Sequence, residues 1–280
     1  MKQRVEITGL LLDKYDGLKE RIRAFGRVAV AFSAGVDSTF LLYAAKEALG
    51  DNVSALTVRS RAFPNSEYED AVGFCKKNGI DHITIEIDEL AIDGFADNPK
   101  NRCYYCKRAI FGKMLEAAAS KGVERVIEGS NADDEGDYRP GLAAIKELGI
   151  ISPLRELGFT KAEIRALSGK FGLPTAEKPS MACLASRFPY GERITAEKLL
   201  AVGKAEDYLR SLGFTQVRVR VHGDVARIEV LPEQTDGFFD ADLRKHVDKK
   251  LKELGFTYVC VDLGGYETGN MNKNILKELL

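Results

Sequence analysis

The stretch Val28-Ala29-Val30-Ala31-Phe32-Ser33-Ala34-Gly35-Val36-Asp37-Ser38-Thr39 decides how the chain is read. Residues 28–32 form an apolar run of strand type, and Ser33, Ala34 and Gly35 form a small-residue turn. The run Thr39-Phe40-Leu41-Leu42-Tyr43-Ala44-Ala45 then reads as a helix start. Strand, tight loop and helix in that order aim backbone N–H groups and a helix dipole at an anion. Ser33, Ser38 and Thr39 add hydroxyl donors, and Gly35 admits close backbone approach. A Walker loop is excluded, because no Gly-Lys-Ser/Thr follows.

Outward from this segment, strands and helices alternate. Residues 53–58 and 82–86 read as strands, and residues 39–49, 66–78 and 107–121 as helices. Residues 123–128 form a further strand. Such alternation predicts an α/β fold with a parallel sheet covered on both faces. Residues 8–25 carry an apolar stripe of Leu11, Leu12, Tyr15, Leu18, Ile22 and Phe25 at helical spacing. Thr160 with Glu163 is a capping box that opens a helix over 160–171. Residues 178–194 break the pattern as a long loop with apolar side chains, of the kind that carries function. The tail reads as a smaller α+β unit. Its helices span 195–212 and 239–254, and its strands span 216–222, 225–230 and 258–262. The expected domains are residues 1–190 and 191–280.

Composition narrows the classes. A chain of 280 residues is long enough for two domains. Its 45% hydrophobic and 30% charged content is that of an ordinary globular protein. No apolar run reaches the ~18 residues of a membrane span, and the N-terminus lacks the pattern of a signal peptide. A cytoplasmic location is the expectation. A formal charge of −1 gives no reason to expect nucleic acid. Five cysteines, an odd number, show no disulfide ladder, which favours metal binding or thiol chemistry.

Two further constellations carry chemistry. Residues 128–141 form an acidic, glycine-punctuated loop after a strand, where doubly wound sheets bind ligands; its carboxylates suit Mg²⁺ on nucleotide phosphates. Asn98-Pro99-Lys100-Asn101-Arg102-Cys103-Tyr104-Tyr105-Cys106-Lys107 contains a C-x-x-C pair without a second such pair, so a four-Cys zinc site is not supported. Cys103, Cys106 and Cys183, in the long loop, have the composition to hold a [4Fe–4S] cluster with one iron open. Cys75 and Cys260 read as small apolar residues.

The segment Ser33-Ala34-Gly35-Val36-Asp37-Ser38 resembles the pyrophosphate loop, S-[GA]-G-x-D-S, of the PP-loop (N-type) ATP pyrophosphatases. Gly129, Ser130, Asn131 and Asp134 match a second segment of that superfamily. Over nearly its whole length the chain resembles the LarE-type sulfur transferases. The likeness rests on the pyrophosphate loop, on residues 137–141, on Cys183 with residues 186–191, and on residues 217–222, 226–229 and 262–266.

This resemblance implies a PP-loop (adenine nucleotide alpha hydrolase-like) domain followed by a smaller C-terminal domain for substrate phosphate binding or oligomerisation. It implies ATP-dependent conversion of pyridinium-3,5-biscarboxylic acid mononucleotide to its bisthiocarboxylic form, for a nickel-pincer cofactor. Ser33, Ala34, Gly35, Val36, Asp37, Ser38, Gly129 and Asp134 would bind ATP, with Asp37 a candidate Mg²⁺ ligand. Arg187, Arg218, Arg220 and Arg227 are candidates for the substrate's phosphate and carboxylates, since guanidinium pairs such groups bidentately. Cys103, Cys106 and Cys183 match the family's three-cysteine, iron-sulfur pattern, with sacrifice of Cys183 as second choice. A homo-oligomer, a sulfur donor and a nickel-inserting recipient of the product complete the expectation. The competing readings are an iron-sulfur-dependent tRNA thiolase and an ammonia-using ligase.

Overall fold

Val28, Ala29 and Val30 are fully enclosed, because β1 (Val28–Ala31) lies inside a four-stranded parallel sheet. The computed structural model describes residues 5–134, 140–179, 181–267 and 270. β2 (Val53–Arg59) pairs with one side of β1 and β4 (Val126–Ile127) with the other, and β3 (Asp81–Glu86) lies outside β2. The order β3-β2-β1-β4 makes the gap between β1 and β4 a switch point, and ligands of open parallel sheets bind outside the carboxyl ends of such strands.

Helices cover the apolar strands. α1 (Gly9–Arg23) buries Leu11, Tyr15, Leu18 and Ile22, the stripe expected from its periodicity, and is capped by Thr8. α2 (Val36–Leu49) buries Phe40, Leu41, Leu42, Ala44 and Ala45 and packs on α1. α3 (Asn65–Lys77) lies against β2 and β3. α4 (Arg102–Ser120), α5 (Gly141–Glu147) and α6 (Pro153–Glu156) precede α7 (Lys161–Lys170), which carries the predicted Thr160–Glu163 capping box. The remaining residues build β5 (Arg218–His222), β6 (Val225–Glu229) and β7 (Tyr258–Val261). They form a mixed sheet in which β6 is antiparallel to β5 and parallel to β7. α8 (Ala196–Ser211) packs on β5 and α9 (Ala241–Glu253) on β7.

The α/β class with a smaller C-terminal sheet is therefore the one expected. Three local differences matter. α2 begins at Val36 and not at Thr39, and α4 begins at Arg102 and not at Lys107. α5 and α6 have too few turns to show a helical period and are not legible from it. The chain forms two compact units, Met1–Asp88 with Cys103–Met181, and Glu89–Arg102 with Ala182–Leu280. The excursion Glu89–Arg102 joins the second unit through long-range backbone bonds that no periodicity reveals. They run from Gly191 N to Asn98 O (2.8 Å) and from Ile194 N to Ala96 O (2.8 Å). Among the described residues no helix is long and apolar enough to cross a membrane.

Candidate functional site

Only Phe32 to Gly35 separate β1 from α2. With Gly35 as N-cap, Val36, Asp37 and Ser38 occupy the first helical turn, where N–H groups have no partner inside the helix. Starting the helix three residues early thus puts the second half of the motif's donors in the dipole's positive end. Side chains brace the turn. The Ser33 amide donates to Ser38 Oγ (3.3 Å), and the two hydroxyls lie 3.2 Å apart. Ser38 Oγ donates to Gly35 O (3.2 Å). Ala34 has a φ of 52°, the left-handed region that a residue with a Cβ seldom adopts.

The loop after β4 lies against this turn. A Cβ on Gly129 would stand 3.0 Å from Ser38 N and 3.2 Å from the Asp37 carbonyl carbon, so a side chain here would press on the backbone of the turn. Asn131 Nδ2 donates to Asp37 Oδ1 (3.3 Å). Asp134 Oδ2 accepts from the Asn131 amide (3.0 Å) and closes a short 3₁₀ turn. Glu128 is buried and accepts from the Ser130 amide and hydroxyl (3.0 and 2.8 Å) and from the Ser152 hydroxyl. Of the likeness at residues 137–141, Asp137, Tyr138 and Arg139 lie outside the described residues.

Two lysines that the sequence reading missed flank the turn. Lys161 Nζ pairs with Asp37 Oδ2, while the Lys161 amide donates to Asp133 (2.9 Å). Lys178 Nζ donates to Ala34 O (3.1 Å) and pairs with Glu67 and Asp70 (both 2.9 Å). Burial opposes the Lys178 charge, but Asp70 and Glu67 outweigh it and hold the ammonium above its ordinary range. Each lysine sits far from the motif in sequence. The available hint was position: Lys161 directly follows the helix cap Thr160.

Cys103 and Cys106 both lie in the first turn of α4, three residues apart and hence on one helical face, each partly exposed. A Cβ on Gly141 would stand 2.6 Å from Lys107 Cδ and 3.3 Å from the Cys103 carbonyl oxygen, so α5 begins close against this turn. Cys183, partly exposed, belongs to the second unit and caps the 3₁₀ turn Leu184–Arg187. Within each unit, no group of three or more His, Cys, Asp or Glu forms a metal-binding array among the described residues. Cys75 is buried, and burial pushes its thiol up to about 12. Cys260 is exposed, which corrects the apolar reading given to it: it lies on β7, whose burial alternates.

The candidate arginines gather in the second unit. Arg187 is fully enclosed and pairs with Glu206 through Nε (2.8 Å) and Nη2 (2.8 Å). Arg220 pairs with Glu229 (2.8 Å), which also takes Arg227 (2.9 Å) and Asn270 (2.8 Å). Arg218 donates to Val217 O (2.7 Å) and lies over the Tyr266 ring, 5.2 Å from its centroid. Burial, then the neighbouring Arg187, push Arg218 down to about 10. Among the described residues Arg187, Arg218 and Arg220 are buried in this unit together with Glu206 and Glu229, a concentration of guanidinium groups of the kind that pairs with phosphate and carboxylate.

Comparison with known proteins places relatives along nearly the whole chain. A family model described as NAD synthase matches residues 12–102. An uncharacterized protein of Synechocystis sp. is 42% identical over 268 residues, covering 96% of this chain and all of that protein. The pyridinium-3,5-bisthiocarboxylic acid mononucleotide synthase of Lactiplantibacillus plantarum is 40% identical over 271 residues, covering 96% of this chain and 98% of that protein. A tRNA-specific 2-thiouridylase of Synechococcus sp. is 35% identical over 188 residues, covering 55% of this chain and 48% of that protein.

Proposed function

The chain belongs to the family of pyridinium-3,5-bisthiocarboxylic acid mononucleotide synthase, and we propose that it is an ATP-dependent sulfur transferase making that bisthiocarboxylic mononucleotide from its biscarboxylic precursor. The observation that carries this reading is a likeness running through both units, where the tRNA thiouridylase likeness covers little more than half of the chain.

In this reading the turn from Ser33 to Ser38 binds the ATP phosphates through helix-end amides and the Ser33 and Ser38 hydroxyls. A substrate carboxylate oxygen attacks the α-phosphorus, and pyrophosphate leaves with the electron pair of the broken P–O bond. The resulting acyl-adenylate has AMP as leaving group. A sulfur nucleophile adds at the acyl carbon and AMP departs. Two rounds convert both carboxylates. Gly129 and Asp134 shape the nucleotide side of the site, and Asp37 would hold Mg²⁺, which offsets charge on the departing pyrophosphate. Because Asp37 carries Lys161, the ammonium shares or exchanges that carboxylate as phosphate arrives.

Arg218 and Arg220 are assigned to the substrate's phosphate or carboxylates, with Arg187 adding to the same positive field. Cys103, Cys106 and Cys183 would hold a [4Fe–4S] cluster, which when bound supplies an open iron to carry the sulfur delivered. The donor set suits it: three thiols, all partly exposed, two of them on one helical turn. A cytoplasmic homo-oligomer that takes sulfur from a donor and passes its product to a nickel-inserting protein completes the proposal.

The test is anaerobic incubation with ATP and Mg²⁺, reading pyrophosphate release and product mass. Release stimulated by the pyridinium mononucleotide and not by tRNA is expected. Stimulation by tRNA alone would assign the chain to tRNA thiolation.

A further inference from the structure

In the second unit buried side chains bind the backbone around Cys183, beside the 3₁₀ turn that it caps. Arg187 Nη1 donates to the carbonyls of Ala182 (2.7 Å) and Cys183 (3.0 Å) and to Ser186 Oγ (2.9 Å). The Ser186 amide also donates to Cys183 O (2.9 Å), and Arg220 Nη1 donates to Ser186 O (3.0 Å). The other two guanidinium nitrogens of Arg187 are spent on Glu206. Arg187 and Glu206 have no exposed side-chain surface. Glu206, on α8, also accepts from the Val219 amide of β5 (2.9 Å) and from Arg210 (2.8 Å). Burial would raise the Glu206 carboxyl, but Arg187, then Arg218 and the Val219 amide, outweigh it and keep it ionised.

We infer that Glu206, acting through Arg187, is a positioning residue that fixes where the Cys183 thiol stands. The inference rests on the reading of Cys183 as the sulfur-handling thiol of this unit.

Burying a full ion pair is seldom the most stable way to fill a core, since apolar residues of similar volume do as well or better. Here the pair does something an apolar pair cannot. It presents a third guanidinium nitrogen, in a fixed plane, to two consecutive carbonyls. A carboxylate on both other nitrogens leaves the guanidinium no freedom to rotate. The peptide plane after Cys183 is thereby tied to α8 and β5, both rigid elements. A thiol that must meet an acyl carbon or a metal needs placement to within about 0.5 Å. These side-chain ties hold the backbone and leave the thiol partly exposed.

The test uses Glu206→Gln and Arg187→Lys in the full-length protein. Iodoacetamide alkylation of Cys183 is timed by mass spectrometry, together with kcat and KM for the pyridinium mononucleotide. Cys260, exposed in the same unit, is the internal reference; Cys75, buried in the first unit, reports unfolding there if it becomes reactive, and a thermal melt of each variant reports unfolding of the second. The expected result has three parts. Cys183 is alkylated at least about threefold faster relative to Cys260, and Cys75 stays unreactive. The kcat for product falls roughly 10- to 100-fold at a KM within about twofold. Arg187→Lys keeps the charge but not the fork, and is expected to behave in the same way. Should Glu206→Gln expose Cys75, Arg187→Lys alone decides. Unchanged or slower Cys183 alkylation with unchanged kcat in a folded variant overturns the positioning role. Retained transfer by Cys183→Ser overturns instead the reading of Cys183 on which it rests.

Discussion

The Lys161 ammonium sits on the Asp37 carboxylate, at the mouth of the turn between β1 and α2. Asn131 takes the other carboxylate oxygen at 3.3 Å. The cation therefore stands beside the first-turn amides of α2, where the proposed reaction develops charge as pyrophosphate leaves. Lys161→Ala is expected to lower the rate of substrate-dependent pyrophosphate release by roughly 100-fold, the scale of losing one charge-stabilising donor. Thermal stability should change little, since the pair is partly exposed. Pyrophosphate release at the wild-type rate would make the pair an incidental surface contact.

Ala34 supplies a second prediction. Its φ of 52° costs an alanine about 1–2 kcal/mol relative to a conformation it prefers. Ala34→Gly removes that strain but adds about 0.4–1 kcal/mol of unfolded-state entropy, so its melting temperature should stay close to wild type. Pyrophosphate release should persist. Ala34→Val, branched at Cβ, should lower both the melting temperature and the activity.

How much of this was readable beforehand follows from the physics of each signal. The apolar strands and the stripe Leu11, Tyr15, Leu18 and Ile22 were readable because period alone encodes them. The Thr160–Glu163 cap was readable because its two partners are three residues apart. Lys161 and Lys178 were not, since their partners Asp37 and Ala34 lie more than a hundred residues away. Arg187 and Arg220 were legible as candidate substrate-binding cations, but not as members of buried pairs with Glu206 and Glu229. A sequence shows a charge and does not show its counter-charge. The early start of α4 was hidden for a different reason. Asn101, Arg102 and Cys103 carry no helical apolar period, and the turn is fixed by the Arg102 amide donating to Pro99 O at 2.9 Å.

Glu163 predicts an acid sensitivity. Burial would raise its carboxyl, but the Lys14 ammonium and the Thr160 backbone outweigh that and hold it below its ordinary range. A depressed folded-state carboxyl stabilises above its unfolded value, and that stability is lost as pH falls through the folded value. Urea unfolding of the wild type should therefore weaken below about pH 4.5, the region of an ordinary Glu. Glu163→Gln should be weaker than wild type at pH 7 and should lose this part of the acid dependence. Parallel curves for the two proteins down to pH 3 would show that the carboxylate contributes nothing.

Arg218 and Arg220 should separate binding from stability. Arg220 neutralises Glu229, which is fully buried. Arg220→Ala leaves Glu229 with Arg227 and Asn270 alone and should destabilise the unit, visible as a lower urea midpoint. Arg218 lies on Tyr266 and is buried in the same cluster. Arg218→Ala should leave the fold intact and raise KM for the pyridinium mononucleotide roughly tenfold or more, with KM for ATP unchanged. An unaltered substrate KM would return Arg218 to a purely structural part.

Sulfur delivery should be separable from adenylation, because the phosphate turn and Cys183 belong to different units. Cys183→Ser is expected to retain substrate-dependent pyrophosphate release while forming no thiocarboxylic product. Cys103→Ser and Cys106→Ser should do the same if these thiols share the cluster with Cys183. Each substitution should then lower the iron and sulfide content of anaerobically purified protein and bleach its visible absorption. The three sites are not expected to anchor the fold, since all three thiols are partly exposed. The opposite pattern is equally readable. If wild-type protein binds no iron, and turnover leaves Cys183 lighter by about the mass of H₂S, the thiol itself has been consumed. Its Cβ–S bond has then broken by elimination after acyl transfer, leaving the sulfur on the product and dehydroalanine in the chain. In that case Cys103→Ser and Cys106→Ser retain activity and Cys183→Ser alone is inactive. The triple comparison therefore decides between a catalyst that turns over and one that is spent.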